Sequence, residues 1–307
     1  MPNSSDTASF TELWFDGPLS TKFFARLYTP SGAPARAVLI YVHGYIDHVS
    51  HYTDTHLAWA RRGIALFAFD QRGFGKTALG DRRSAHSKFG RTGGGWERMV
   101  DVEWAVKEAR ARVGEVPVFL MGFSMGGGIV LDFASRPESP PNKETVSLLS
   151  GVIVTSPLIL LVRPPPRALE TLLIWISKVF PNMLWYTPVE AEALSHDQEL
   201  VGTVKKDKLL KPYGSLEGIG DMLTRGSRLL AERLRTWPAD LPVLFLHGEG
   251  DTITSSRATR ELFDKMRAAD KQIILYPHMM HDLNGEPDVR DKFLEDCISW
   301  VEKHVAS

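Results

Sequence analysis

Short apolar stretches alternate with amphipathic stretches along most of the chain. The run AVLIYV at residues 37–42 carries no charge, which is typical of a strand buried on both faces of a parallel sheet. Because helical patterns separate such strands, the alternation predicts an α/β fold, with a mostly parallel central sheet and helices on both faces. Further strands are predicted at residues 64–69, 118–121, 151–155, 241–246 and 272–276, and helices at 53–62, 97–112, 255–268 and 289–304.

Two segments depart from this alternation. Residues 9–15 and 22–28 are extended stretches around an Asp-Gly-Pro turn, so they predict an antiparallel hairpin. Residues 157–238 carry three consecutive prolines and helical patterns but no convincing strand, which indicates a helical cap inserted over the sheet. We therefore expect a core at residues 1–156 and 239–307, with the cap between its two parts.

The cap contains one strongly amphipathic pattern. Ile174 falls on the side between Glu170 and Lys178, so we expect this isoleucine to face outwards. Residues 158–162, just upstream, are apolar as well. A segment this apolar either buries both sides or faces lipid with one of them. Six residues define the apolar face: Leu169, Leu172, Leu173, Ile176, Val179 and Phe180.

Composition narrows the choice of partners and compartment. The chain has 36 basic and 37 acidic residues, so its net charge of -1 provides no field for nucleic acid or an anionic membrane. The charged run at 205–208 is interpreted as a solvated face. A single cysteine, Cys297, excludes an internal disulfide. The first ten residues lack the pattern of a secretory leader, and no apolar run reaches about 18 residues. We expect a cytoplasmic protein.

The candidate nucleophile is Ser124, in the stretch VPVFLMGFSMGGGIVLDFAS at residues 116–135. A predicted strand leads directly into Gly122-Phe123-Ser124-Met125-Gly126, and a helical pattern follows. In a strand–turn–helix of this kind the serine adopts a strained conformation, and glycines two positions away allow strand and helix to approach closely. The hydroxyl is then presented at a helix N-terminus, where negative charge is favoured.

A serine nucleophile needs a histidine base and an acid to orient it, in the chain order Ser, Asp or Glu, His for this kind of elbow. Of the ten histidines, His278, His281 and His304 lie late enough, and His304 closes the last predicted helix. His281 is favoured because it lies further out on the loop, with His278 as the alternative. Asp251 is the favoured acid, and Glu249 remains open.

The oxyanion of an ester-hydrolysis intermediate requires two backbone N–H donors. One is expected at Met125, the residue after the serine. The other is expected at Tyr45, in the loop after the strand at 37–42, where His43-Gly44 allows a sharp turn. His43 itself precedes both serine and acid, so we interpret it as structural.

Together, these motifs resemble the monoacylglycerol lipases of the α/β-hydrolase superfamily. Phe123 departs from the pattern, because many members carry histidine before the nucleophile, and this difference concerns the glycerol end of the site. The motifs that carry the resemblance are His43-Gly44-Tyr45-Ile46-Asp47-His48, Phe69-Asp70-Gln71-Arg72-Gly73-Phe74-Gly75, Gly122-Phe123-Ser124-Met125-Gly126-Gly127, Leu246-His247-Gly248-Glu249-Gly250-Asp251 and His281.

The resemblance implies hydrolysis of monoglycerides, with no cofactor and no metal, beneath a cap that docks transiently on a membrane or lipid droplet. Asp47, His48 and His51 are the candidates to contact the glycerol hydroxyls. The remaining expected substrate contacts are Phe123, Leu160, Leu172 and Ile176.

Two alternatives stay open. The same triad would serve a lysophospholipase or a general carboxylesterase. A non-catalytic α/β-hydrolase acting as a binding module is the alternative of another class, and the presence of Ser, Asp and His argues against it.

Overall fold

The computed structural model describes residues 8–80 and 88–305. The prediction that a secretory leader is absent rests on the first ten residues, and most of these lie outside the described residues. Eight strands form one sheet, in the order β1-β2-β4-β3-β5-β6-β9-β10. β1 and β2 are antiparallel to each other and β2 is antiparallel to β4, whereas all other neighbours are parallel. The strands are β1 (Ser9–Asp16), β2 (Lys22–Thr29), β3 (Ala37–Val42), β4 (Ile64–Phe69), β5 (Val118–Phe123), β6 (Leu149–Thr155), β9 (Val243–Gly248) and β10 (Lys271–Tyr276).

Helices cover both faces of this sheet, and the predicted α/β class is confirmed. Every residue of β3, β4, β5 and β9 is buried, as continuous apolar runs require in a parallel sheet covered on both sides. The core helices are α1 (Thr53–Arg61), α2 (Gly75–Leu79), α3 (Gly95–Val113), α4 (Met125–Ser135), α5 (Lys143–Val146), α9 (Ser256–Lys265) and α10 (Arg290–Val305).

The two sides of the sheet form separate apolar layers. Residues of α3, α4 and α9 pack with one set of alternating strand positions, and residues of α1 and α10 pack with the other. Cys297 of α10 is a free, fully buried cysteine in the second layer. None of the helices in the described ranges combines the length and apolar character that a membrane span requires.

The cap contains a pair of strands that the sequence did not predict. These two short strands pair antiparallel. Three-residue strands are too short to produce a readable alternation, and nothing in the residues 184–186 distinguishes them from an apolar loop. The elements of the cap are α6 (Arg167–Val179), β7 (Leu184–Tyr186), α7 (Gln198–Lys206), β8 (Tyr213–Ser215) and α8 (Leu216–Ala231).

The orientation of α6 is the reverse of the predicted one. Leu173 is its one buried residue among those described, and Ile174 is half-buried and faces α8 at Gly220, so the expectation that Ile174 lies outside is wrong. A Cβ at Gly220 would lie 3.8 Å from the Ile174 side chain, an ordinary packing distance. Trp175 and Val179, by contrast, are 65% and 69% exposed, and Leu172 and Phe180 are exposed too. Most of the predicted apolar face of α6 therefore faces solvent, while Leu173 of that face is buried.

Candidate active site

Ser124 lies at the turn between β5 and α4, as the local pattern predicts. Its φ is 54° and its ψ is -117°, a conformation that costs free energy in a residue other than glycine and is typical of nucleophile turns. The flanking glycines are required by contact, because a Cβ at Gly122 would overlap the Gly126 carbonyl and one at Gly126 would overlap that of Val42. The close packing of strand and helix thus holds the serine in place.

Three side chains form one hydrogen-bonded chain at this turn. The Oγ atom of Ser124 lies 2.9 Å from Nε2 of His281, and Nδ1 of His281 lies 2.7 Å from Oδ2 of Asp251. Ser124, His281 and Asp251 come from the loops after β5, β10 and β9. A hydroxyl, an imidazole and a carboxylate in this order can transfer the serine proton to His281 while Asp251 orients the ring.

The carboxylate of Asp251 is held by several donors. Its Oδ1 accepts hydrogen bonds from the backbone N–H groups of Ile253 and Thr254, at 2.7 and 3.0 Å. Its Oδ2 accepts from the Thr254 hydroxyl at 2.6 Å and lies 3.0 Å from Nε2 of His247. Burial alone would raise the pKa of Asp251, but the charges and hydrogen bonds of His281 and His247 outweigh burial and hold the pKa well below its usual range. The acid therefore stays ionised.

The two alternatives that the sequence left open lie elsewhere. The Glu249 side chain is 43% exposed and faces Arg260, with 3.6 Å between their charged atoms. His278 is exposed and has a positive φ of 64° at a turn. His304 bonds to the Trp300 carbonyl and approaches Asp270, at the far end of α10. The structure thus brings Asp251 and His281, but none of these three, to Ser124.

The loop after β3 passes beside the nucleophile. A Cβ at Gly44 would lie 3.3 Å from the Phe123 ring and 3.4 Å from the Cβ of Ser124, so a larger residue would need this ring to shift by a few tenths of an ångström. Tyr45, next along the chain, lines the same cavity as Ser124. Met125, the residue after Ser124, is the first residue of helix α4. We propose the amides of Tyr45 and Met125 as the oxyanion donors. Buried His43 accepts a 2.8 Å hydrogen bond from the Gln71 N–H, which agrees with a structural role.

A cavity of about 890 Å³ opens above Ser124 and His281, between core and cap. This volume lies within the range of about 300–1,000 Å³ that small-molecule sites occupy. Phe123 lies in its wall, with its ring centroid 5.0 Å from that of His281. Much of the wall is aliphatic: Leu158, Leu161, Val189, Leu194, Leu200, Val204, Leu210 and Ile253. Carboxylates line another part: Asp47, Asp54, Glu190, Glu192, Asp197, Glu199 and Asp282.

Three of the expected substrate contacts lie outside this lining, within the part of the chain that is described. Leu160 is exposed, and its neighbours Leu158 and Leu161 line the cavity instead, because the chain bends at residues 159–160. Leu172 and Ile176 belong to α6, whose apolar face turns away from the cavity. Much of the aliphatic wall comes from the loop before α6 and from α7, which the periodicity of α6 could not indicate.

Asp47 and His51 do line the cavity, and they form an ion pair. The Nδ1 atom of His51 lies 3.0 Å from Oδ1 of Asp47, and its Nε2 lies 3.0 Å from Oδ2 of Asp207 in the cap. Burial would lower the pKa of His51, but the hydrogen bonds and charges of both carboxylates raise the pKa to about 9. His48 is almost fully buried and contacts Asp207 instead of the cavity.

Sequence reasoning missed two residues that hold the acid, His247 and Thr254. Nδ1 of His247 lies 2.9 Å from the Thr259 hydroxyl of α9, and its Nε2 approaches Asp251, so the ring is fixed between helix and carboxylate. The spacing of four residues between His247 and Asp251 is the one signal that could have suggested this contact. Asp207 was also assigned wrongly, to a solvated charged run, because of its lysine neighbours. Its contacts are with His51 and His48, which lie 156 and 159 positions away in the sequence.

Comparison with known proteins adds a family to this geometry. The family model described as serine aminopeptidase, S33, matches residues 33–288. The monoglyceride lipase of Rattus norvegicus is 30% identical, over 92% of this chain and 88% of its own length. The monoacylglycerol lipase of Mycolicibacterium smegmatis is 27% identical, over 95% of this chain and 96% of its own.

The fold has a similar counterpart among solved structures. A soluble variant of monoglyceride lipase from Saccharomyces cerevisiae, in complex with a substrate analog, superposes with a TM-score of 0.81. The superposition covers 99% of this chain and 97% of the yeast enzyme's chain, at 24% sequence identity. Sheet and cap therefore share one architecture with an enzyme of known fold.

Proposed function

The chain belongs to the monoglyceride lipase family of the α/β-hydrolases, and we propose that it cleaves monoacylglycerols to a free fatty acid and glycerol. It is a serine ester hydrolase. The observation that carries the proposal is the Ser124–His281–Asp251 chain, which opens into a cavity with both an aliphatic and a polar wall. An acyl chain and a small polyol are the two halves of a ligand that such a cavity accommodates.

The proposed reaction has two halves. Ser124 Oγ attacks the ester carbonyl, His281 accepts its proton, and the amides of Met125 and Tyr45 stabilise the oxyanion. His281 then donates the proton to the leaving glycerol oxygen, which leaves an acyl group on Ser124. Water attacks this acyl-enzyme by the same sequence and releases the fatty acid. Asp251 keeps the proton of neutral His281 on Nδ1, so that Nε2 is free to act as the base.

The charge of the cavity wall favours a neutral glycerol head over a phosphodiester. The lining holds seven carboxylates against the cationic groups Lys205, Arg290 and His51, so its net charge is negative and disfavours an anionic headgroup. For this reason we favour monoacylglycerols over lysophospholipids.

The test is turnover of a matched panel at equal concentration: 1-oleoylglycerol, trioleoylglycerol, oleoyl-lysophosphatidylcholine, methyl oleate and p-nitrophenyl butyrate. We expect kcat/KM for 1-oleoylglycerol to exceed that for every other oleoyl ester, and Ser124→Ala to abolish all activities. If the lysophospholipid were the better substrate, the proposed substrate class would be wrong. If the wild type cleaved no ester, the binding-module alternative would replace the enzyme.

We further propose that the cap docks transiently on a lipid surface, since a monoacylglycerol resides in membranes or droplets. The support is the solvent-facing apolar side of α6, where Leu172, Trp175, Val179 and Phe180 are all exposed. Transferring one such side chain out of water contributes about 1.5–3 kcal/mol, so a few of them give reversible attachment. Because the net charge is only -1, this attachment should depend little on salt.

Flotation with neutral phosphatidylcholine liposomes tests the docking. The double variant Leu172→Ser with Val179→Ser should remain at the bottom of the gradient, while the wild type floats. Ile174→Ser is the matched control for the opposite side of α6, and any effect it has should be on stability. Equal flotation of wild type and double variant would exclude α6 as the docking face.

A further inference from the structure

Three side chains with metal-ligating atoms converge where the cap meets the core. His48 and His51 lie on the turn after β3, and Asp207 ends α7. The Nε2 atoms of the two histidines lie 2.9 and 3.0 Å from the same oxygen, Oδ2 of Asp207. All three ligand atoms lie within 4.8 Å of one another.

We propose that His48, His51 and Asp207 form a binding site for a divalent transition-metal ion such as Zn²⁺, which ties the cap to the core. Two imidazole nitrogens and one carboxylate oxygen are ligands that Zn²⁺ accepts in protein sites. The site is separate from the catalytic chain and contributes no step to ester hydrolysis.

The spacing of the ligand atoms suits a tetrahedral ion after a small movement. Bonds of about 2.0–2.2 Å to nitrogen and oxygen place neighbouring tetrahedral ligands about 3.3 Å apart. The two Nε2–Oδ2 distances of 2.9 and 3.0 Å therefore need to lengthen by only a few tenths of an ångström. Water would complete the coordination as the fourth ligand.

The surroundings provide the outer support that a metal-bound histidine usually has. Nδ1 of His51 faces Oδ1 of Asp47 at 3.0 Å, so it can donate to a carboxylate while Nε2 binds the ion. Asp47 is itself fixed by the Tyr52 hydroxyl, 2.6 Å from its Oδ2. The free oxygen of Asp207 accepts the Leu209 N–H at 2.7 Å. His48 gives up only a long contact of 3.3 Å between its Nδ1 and the Ser50 N–H.

Burial makes this arrangement more than a surface cluster. The His48 and His51 rings lie with centroids 4.0 Å apart and their planes tilted by 41°, and the side chains of His48, His51 and Asp207 are 3%, 19% and 20% exposed. The ion would connect positions 156 residues apart and restrain the cap segment after α7.

The experiment is isothermal titration of the chelator-treated full chain with ZnCl₂, repeated with CoCl₂ for its visible spectrum. We expect one ion per chain, an intense absorption typical of tetrahedral Co²⁺, and a rise in Tm with Zn²⁺. Asp207→Asn and His48→Gln should each weaken binding at least tenfold and remove the rise in Tm. Circular dichroism of each variant checks that it folds.

The matched control is His196→Gln, which removes an exposed histidine whose Nδ1 lies 2.9 Å from the buried Glu286 carboxylate. It should bind Zn²⁺ as the wild type does. The proposal is overturned if the wild type binds no ion, or if Asp207→Asn and His48→Gln bind as tightly as the wild type. In either case the contacts would be an ion pair between protonated histidine and Asp207, with no metal role.

Discussion

Replacing Asp251 by asparagine should stop the reaction by fixing the wrong tautomer of His281. Oδ1 of Asp251 accepts two backbone N–H groups, from Ile253 and Thr254, so the amide oxygen of an asparagine must occupy that position. Its NH₂ group then takes the place of Oδ2, which lies 2.7 Å from Nδ1 of His281. Since NH₂ can only donate, Nδ1 becomes the acceptor and the ring proton moves to Nε2. His281 can then no longer accept the proton of Ser124.

The expected loss follows from this change of tautomer. In serine proteases the same substitution lowers kcat by about 10⁴, which corresponds to about 5.4 kcal/mol at 1.36 kcal/mol per factor of ten. We expect a similar loss of kcat for Asp251→Asn with 1-oleoylglycerol, and little change in KM, because the acid does not contact the substrate. Stopped assays of released fatty acid, with the variant checked by its Tm, measure both constants.

Glu249→Gln is the matched control, because it makes the same chemical change two residues away. Its side chain points to Arg260 at the surface, so kcat should stay within about twofold of the wild type. A loss below tenfold in Asp251→Asn, or a larger loss in Glu249→Gln, would refute the assignment of the acid.

Three further predictions concern packing, charge and specificity. Gly126→Ala should lower the free energy of unfolding by about 1–3 kcal/mol in urea titrations, because its Cβ overlaps the Val42 carbonyl, whereas Gly202→Ala, in open space on α7, should be neutral or stabilising. Burial and then the charge of Asp47 raise the pKa of Asp282 to about 6, above the usual 3.8. The contribution of Asp282 to stability should therefore fall as pH rises from about 4 to 6, so Asp282→Asn should raise Tm at pH 8 but not at pH 4; equal Tm differences at both values would contradict this. Asp47→Ala, assayed with a chelator present, should reduce the preference for 1-oleoylglycerol over methyl oleate about tenfold, the effect of one lost hydrogen bond to a charged group; an unchanged preference would exclude the contact.

Local sequence determined the parts of the fold that were predicted well. The turn at Ser124 could be predicted because strand, glycines and helix lie within twenty residues, and each long strand carries its own apolar signal. The choice between Asp251 and Glu249 needed the path of the loop after β9, where both carboxylates follow the same strand. Which of two side chains in a short loop points towards Ser124 depends on the tertiary structure, and the spacing of the residues does not encode it.

The cap shows the opposite situation. Its periodicity correctly indicated an amphipathic α6, but amphipathicity does not say which face is buried when the partner is another small helix. The position of α8 decides that question, because Ile174 packs against it at Gly220, and the periodicity of α6 does not indicate this partner. Asp207 likewise meets His48 and His51 only after the cap folds over the core.

The central claim is that Ser124 carries the acyl group of a monoacylglycerol during turnover. Wild-type enzyme mixed with 1-oleoylglycerol and quenched in acid within milliseconds should yield, by peptide mass spectrometry, one oleoylated peptide that contains Ser124. Ser124→Ala should yield none, and His281→Ala should yield none on the same timescale. An oleoyl group on any other residue, or wild-type turnover without an acylated peptide at any quench time, would contradict the account.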